Sequence, residues 1–494
     1  MVGLCASVEA VRGFDWEGGS VIGKNKLGEE RVGMNPGARF AAGEQGRKRM
    51  RRMEHAVWDV EQRKESPLDL MAASMVGRVP SLVAVKYARM MESPFGYFRG
   101  AVPVMAYDLS VIPNTGMMTQ LCGDAHVQNL GAYAGPDGRL VFDINDFDET
   151  IEGPFEWDVK RMATSLVLAG REGGGKREHA RGAAAEFLER YRTTMWAMSQ
   201  MAVLEVGRYQ VHRLRDVASV EGILRKAVVA TPLHTLESLT EPVVVAAKKS
   251  TGKKGGKKKI AKEEVIAEGP RRFKTLKPVL TRLTGLIEQQ VLDSLTLYAE
   301  TLEPQRKHLL SQYVPVDVAF KVVGTGSVGL RDYVVYMQGN GPKDPMFLQI
   351  KEEVASAYAS HLPGGKKKEH QGKRVVEGAR AMQLQSDPFL GWTTIAEKDK
   401  EREYLVRQLN DHKASIAPED LQAEGLMQYA GVCGELLARG HARSGHCAMV
   451  AGYVGSSSRF DEAVVHFAEA YADQTEKDWK QLVRAMKRKA ARSR

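Results

Sequence analysis

Residues 142–149 read "FDINDFDE", and this alternation restricts what the chain can fold into. Phe142, Ile144 and Phe147 call for burial, while Asp143, Asp146, Asp148 and Glu149 lie within seven residues of one another. Two unit charges about 4 Å apart repel by roughly 1 kcal/mol in water and roughly 4 at an effective dielectric near 20. A fold that buries this window must bring positive charge to it, and a divalent cation is the economical source. On an extended strand Asp143 shares a face with Asn145, and Asp146 shares the other with Asp148. Asp143 and Asp146 are therefore competing candidates for a metal ligand.

Just upstream, "GDAHVQN" puts Asp124 five residues before Asn129, with His126 between them. Phosphoryl transfer needs a carboxylate to take the proton of an attacking hydroxyl and an amide oxygen to hold metal without adding charge. Protein kinases place an aspartate and an asparagine at this offset after a short strand. The strands expected here are "MMTQLCGD" and "RLVFDIND", flanking the turn "AGPDG".

Further along, "GTGSVG" supplies Gly324, Thr325, Gly326, Ser327 and Gly329. It lacks the Lys-Ser/Thr ending of a P-loop, and strand-like residues follow it in place of a helix. What is left is a glycine-rich hairpin over nucleotide phosphates. Lys351 in "MFLQIKEE" sits on the strand after that hairpin, placed to meet phosphates if a carboxylate steadies it. Glu377 on the helical stretch "RVVEGARAMQ" is the preferred partner, with Glu352 and Glu353 as local alternatives. Arg99 in "SPFGYFRG" is a candidate substrate or phosphate contact. His441, His446 and Cys447 in "GHARSGHCA" lack a fourth ligand at zinc spacing and read as polar residues ending a helix.

These residues resemble the aminoglycoside phosphotransferase branch of the kinase-like fold. The resemblance implies Asp124 as base, Asn129 and Asp146 as metal ligands, and Asp158 as a structural aspartate opening the next helix. Cys122 stands where that branch has histidine, and Asp143 stays open as the alternative ligand. The motifs "SPFGYFRG", "GDAHVQN", "NDFDE", "KVVGTGSVGLR" and "ARGHARSG" make residues 60–480 similar to a bacterial family, the domain of unknown function 2252.

Kinases run glycine loop, lysine, helix, hinge, then catalytic loop and metal aspartate, whereas here the catalytic loop comes first. The fold class expected is thus α+β: a two-lobed, kinase-like fold in circular permutation, with "EYLVRQL" as hinge. Residues 1–55 are expected to be poorly ordered. Residues 56–312 form the helical catalytic lobe, 313–410 the β-rich nucleotide lobe, and 411–494 helices that complete the first. If so, Lys351 and Asp146 must face each other across one cleft.

The resemblance implies ATP and Mg²⁺ as cofactors and transfer to the hydroxyl of a small molecule or protein. Nucleotidyl transfer, or nucleotide sensing by an inactive site, are the alternatives. Charge excludes little else. Eight lysines in residues 248–262 and six basic residues in 484–494 account for more than the net +10, leaving about −4 elsewhere. Nucleic acid is therefore not an expected partner, and the lysine run reads as a solvated loop. No apolar run reaches the roughly 20 residues of a membrane span. With no secretory signal pattern and four scattered cysteines, a cytoplasmic location is expected.

Overall fold

The computed structural model describes residues 35–211, 217–243, 270–322, 324–365, 369–397, 400–409, 413–416 and 423–492, with two short strands at 21–24 and 30–33. The lysine-rich run 248–262 lies outside them. The architecture is mixed α+β, with a six-stranded sheet on one side and a helical body on the other. No helix among the described residues is long and apolar enough to cross a membrane.

The sheet is antiparallel. Its spatial order is Gly391–Glu397, Lys400–Gln408, Pro345–Glu353, Asp332–Gln338, Val314–Lys321 and Leu280–Arg282. A turn at Gly339–Asp344 joins the two middle strands, with Gly339 N–H donating to Asp344 O at 2.9 Å and Asn340 N–H to its Oδ2 at 2.9 Å. All nine residues of Pro345–Glu353 are buried, and their period of two sorts them by face. Met346, Leu348 and Ile350 join Val291 and Tyr298 of the helix Leu286–Glu300 in an apolar cluster. On the other face Gln349, Lys351 and Glu353 point toward the helical body, while Phe347 packs against Leu236 and Phe273. Buried polar groups require partners, and this face builds the site.

The helical body is centred on Glu156–Glu172, whose residues 156–170 are all buried. A helix apolar or buried all round belongs inside a bundle. Arg177–Ser199, Ala423–Ser444 and Arg459–Arg492 enclose it. Two hairpin-like pairs cap this body: Met118–Leu121 with Ile151–Pro154, and Leu130–Ala134 with Leu140–Ile144. "MMTQL" therefore pairs downstream, and the partner across the "AGPDG" turn is "LGAYA". Its small residues carried no β-strand signal.

Two expected boundaries are corrected. Residues 35–55 are ordered: Pro36–Arg49 is a helix laid against Cys447–Val454 so closely that a Cβ at Gly43 would overlap the Met449 carbonyl. Arg47 caps the carbonyls of Gly452 and Tyr453, and His55 is fully buried. The stretch 280–312, assigned to the catalytic lobe, packs with the sheet, because Val291 and Tyr298 complete its outer apolar face.

Candidate active site

The loop "CGDAHVQN" is held from beneath by the first turn of the central helix. Asp158 accepts the N–H groups of Cys122 at 2.7 Å and Gly123 at 3.0 Å. His441 Nε2 lies 3.4 Å from the same carboxylate, and its Nδ1 lies 2.8 Å from Tyr191 OH. His441 is thus a buried support for Asp158, far from any zinc-like set. Gly123 has φ +83°, and a side chain there would meet the Glu149 carbonyl, so the turn needs glycine.

Asp124 follows at once. Its Oδ1 accepts two bonds from Arg161, at 2.8 Å from Nε and 2.5 Å from Nη2. Arg161 is fully buried, stacked 4.3 Å over Phe98, and also donates to Phe98 O at 3.1 Å. Oδ2 is left facing His126 Nε2 at 3.6 Å. Burial depresses His126 to about 4, so the ring is neutral at physiological pH. The Gln128 N–H donates to its Nδ1 at 3.2 Å, which places the ring proton on Nε2, toward Asp124.

Asn129 ties the two acidic segments together. Its Nδ2 donates to Asp124 O and Asp146 O, each at 2.9 Å, while its buried Oδ1 has no partner among the described residues. The acid strand ends at Ile144, so Asp143 and Asp146 part company. Asp143 is fully buried, ion-paired to Arg439, and accepts the backbone N–H groups of Ile144 at 2.8 Å and Leu384 at 3.3 Å. Its candidacy as a metal ligand is corrected: it is a structural carboxylate. Arg439→Met is expected to destabilise the fold by about 3–5 kcal/mol, since it strands a buried charge. Denaturant melts measure this, and any nucleotide-induced stabilisation should persist.

Beyond the strand, Asp146 is half-exposed and Asp148 mostly covered. Lys351 reaches down from the sheet to both, with Nζ 3.5 Å from Asp146 Oδ1 and 2.5 Å from Asp148 Oδ2. The two residues expected to face each other therefore do. Burial works against the charged form of Lys351, but the two aspartates raise its pKa well above the ordinary value. Burial also works against ionised Asp146, yet Lys351 and Arg407 hold it well below the usual carboxylate range. Asp148 is raised by burial and by the charge on Asp146.

Glu377 does not partner Lys351. It is exposed and pairs with Lys373 at 3.4 Å on its own helix, Gln371–Met382. That helix instead turns Arg374 inward, where it donates to the carbonyls of Asp148 at 2.8 Å, Val354 at 2.9 Å and Thr150. Gly378, one turn on, abuts Thr150 with no room for a side chain. Glu377 lies about 100° round the helix from Gly378 and faces solvent. Glu352 is also engaged elsewhere, by Arg331 and Arg402.

The glycine-rich turn 324–329 roofs the acids. Ser327 Oγ donates to Asp148 Oδ2 at 2.7 Å, and Thr325 and Ser327 are both buried. The helix Pro80–Glu92 and the residues before it clamp the turn, an arrangement that no sequence motif announced. Lys86 Nζ donates to Gly326 O at 2.5 Å, Arg78 Nη1 to Val328 O at 2.7 Å, and Val79 N–H to Gly329 O at 2.7 Å. Arg99 lines the same space close to Gly324.

These groups surround one cleft of about 750 Å³ between sheet and helical body. Among the described residues no three His, Cys, Asp or Glu side chains are grouped to hold a metal unaided. Fold and site together define a class: an α+β protein whose acid loops and lysine-bearing sheet share one cleft under a glycine-rich turn. The chain belongs to the bacterial family described as "Uncharacterized protein conserved in bacteria (DUF2252)", whose profile matches residues 78–485. No curated protein and no solved structure matches it.

Proposed function

We propose that the protein is a Mg-ATP-dependent phosphotransferase with a circularly permuted, kinase-like fold. One observation carries the reading: Lys351 of the sheet meets Asp146 and Asp148 beneath the glycine-rich turn, in the cleft that Asp124 also lines. Chain order supports it. The glycine turn joins the first two long strands, Lys351 lies on the third, and the helix Gln371–Met382 follows. The strand Lys400–Gln408 then leads to Ala414–Ser415, which pairs with Gly131–Ala132 beside the acid loops. The helix ending at Ser444 comes within 3.1 Å of Thr119, on the strand entering the Asp124 loop. Such adjacency is what makes permutation physically tolerable.

The residues present fit a magnesium nucleotide. Mg²⁺ is commonly held by one or two carboxylates plus substrate phosphates. Half-exposed Asp146 and the unpartnered Asn129 Oδ1 are the oxygens suited to it. When bound, the ion neutralises and orients the phosphate oxygens. The protein's own groups do the rest. Lys351 and the glycine turn position the triphosphate. Asp124 Oδ2 takes the proton of the acceptor hydroxyl as its oxygen bonds to the γ-phosphorus. The bond from that phosphorus to the β-phosphate oxygen breaks, and ADP leaves.

Mg-ATP at a hundredfold excess over its Kd is expected to stabilise the fold by about 2.7 kcal/mol. Thermal melts with ATP, with and without Mg²⁺, measure this, and no shift at saturating Mg-ATP would sink the proposal.

A further inference from the structure

Three cations on one side of the cleft have no carboxylate partner. Arg78, Lys86 and Arg99 belong to the helical segment before the acid loops, and none forms an ion pair among the described residues. Lys86 is 2% exposed, and its one hydrogen bond, to Gly326 O, leaves two of its three donors unused. Arg78 donates to the carbonyls of Val328 and Ser74, which carry no net charge. Arg99 has a buried Nε with no partner. The acids nearest Arg99 are Asp124 and Asp146, already engaged by Arg161 and Lys351. Buried charge without a counter-charge is costly. Of the three only Lys86 is fully buried, and burial lowers its pKa to about 7, while Arg78 and Arg99 are partly exposed; together they offer an anion a seat that the described residues do not fill.

Their position says which anion. The triphosphate is addressed from the sheet side by Lys351 and from above by the glycine turn. Arg99 and Lys86 lie near Asp124, where an acceptor must approach its base, and Arg78 extends the row along the glycine turn, whose carbonyls it and Lys86 hold. Leu70, Val102 and Pro103 add apolar surface there. Resting on the phosphotransferase reading, we infer that the acceptor is a small hydroxyl compound carrying an oxyanionic group, phosphate or carboxylate, seated on Arg99 with Lys86 and Arg78. An arginine fork suits either group in bidentate fashion. A polycation of the aminoglycoside kind is repelled by the same side chains.

The test uses the full chain saturated with Mg²⁺ and a non-hydrolysable ATP analogue. Glycerol 3-phosphate, glycerate and kanamycin are titrated in separate calorimetric arms. Saturable binding of one or both anions is expected, with none for kanamycin. Arg99→Gln should weaken the anion about ten- to hundredfold, the loss of a charge-assisted bond, and leave analogue binding unaltered. Arg99→Lys, which keeps the charge, should recover part of the affinity and controls for folding. Analogue binding without anion binding overturns the inference. So does kanamycin binding, or an Arg99→Gln protein that loses the analogue, since the cations would then serve the triphosphate. If the analogue fails to bind while an anion binds through Arg99, the nucleotide reading falls and the anion seat stands.

Discussion

Asp124→Asn is expected to lower phosphoryl transfer about 10²–10⁴-fold while Mg-ATP still stabilises the protein. Arg161 occupies Oδ1, so Oδ2 is the one oxygen free to accept the hydroxyl proton. An amide keeps the shape and can still accept from Arg161, but it cannot take a proton. The substitution also removes the counter-charge of a fully buried guanidinium. Breaking a buried pair outright costs about 3–5 kcal/mol, and the retained hydrogen bond keeps the loss below that. The two effects separate cleanly. Arg161→Lys weakens the grip without removing the base, so its melting temperature should fall while its transfer rate falls far less. Transfer from γ-labelled ATP to acceptors in a cell extract, assayed well below each variant's melting point, gives the comparison. An Asp124→Asn protein with transfer near the wild-type rate would remove Asp124 from the chemistry.

The parts of the site that could be read from sequence are those fixed by local pattern. Acids alternating with Phe142, Ile144 and Phe147 had to meet a cation, and Lys351 is there. Asp146 and Asp148 fall together as strand alternation indicated, although the strand itself stops at Ile144. The helix near 371–382 was legible from its periodicity, but its rotation was not. Only the close approach of Gly378 to Thr150 decides that Arg374 faces inward and Glu377 outward. The fate of Asp143 depended on Arg439, nearly 300 positions away on the helix Ala423–Ser444. Lys86 and Arg78 escaped notice because nothing local distinguishes a clamp on a distant glycine turn from a solvated helix face. Glycine and alanine in "LGAYA" hid a strand that tertiary packing creates. Patterns reveal which groups must be paired, and long-range packing selects the partners.

Lys351→Met is expected to abolish nucleotide-induced stabilisation and to destabilise the apo fold by about 3–5 kcal/mol at neutral pH, the cost of breaking a buried pair. The thioether roughly fills the space of the aliphatic stem, so the loss is mainly of charge. Lys351 and Asp148 are the well-covered members, while half-exposed Asp146 is screened by water and contributes less. The pH dependence identifies the cause. In the wild type Asp146 is held below its unfolded pKa, so its stabilisation is present above that value and is lost as pH falls. Lys351 is raised, so its contribution is complete below its unfolded pKa and is lost only as pH rises through the folded value. Asp148 is already raised by burial and by Asp146, and without the ammonium both carboxylates move upward. The variant should therefore approach wild-type stability in acid, where both are protonated. It should fall away as pH rises through their raised pKa values, with the full deficit at neutral pH. Denaturant melts at successive pH values trace this curve. A deficit independent of pH would mean that Lys351 serves the fold through packing alone, with the aspartates satisfied from elsewhere. In that case the ion pair of Lys351 with Asp146 and Asp148 would not be what joins the sheet to the acid loops.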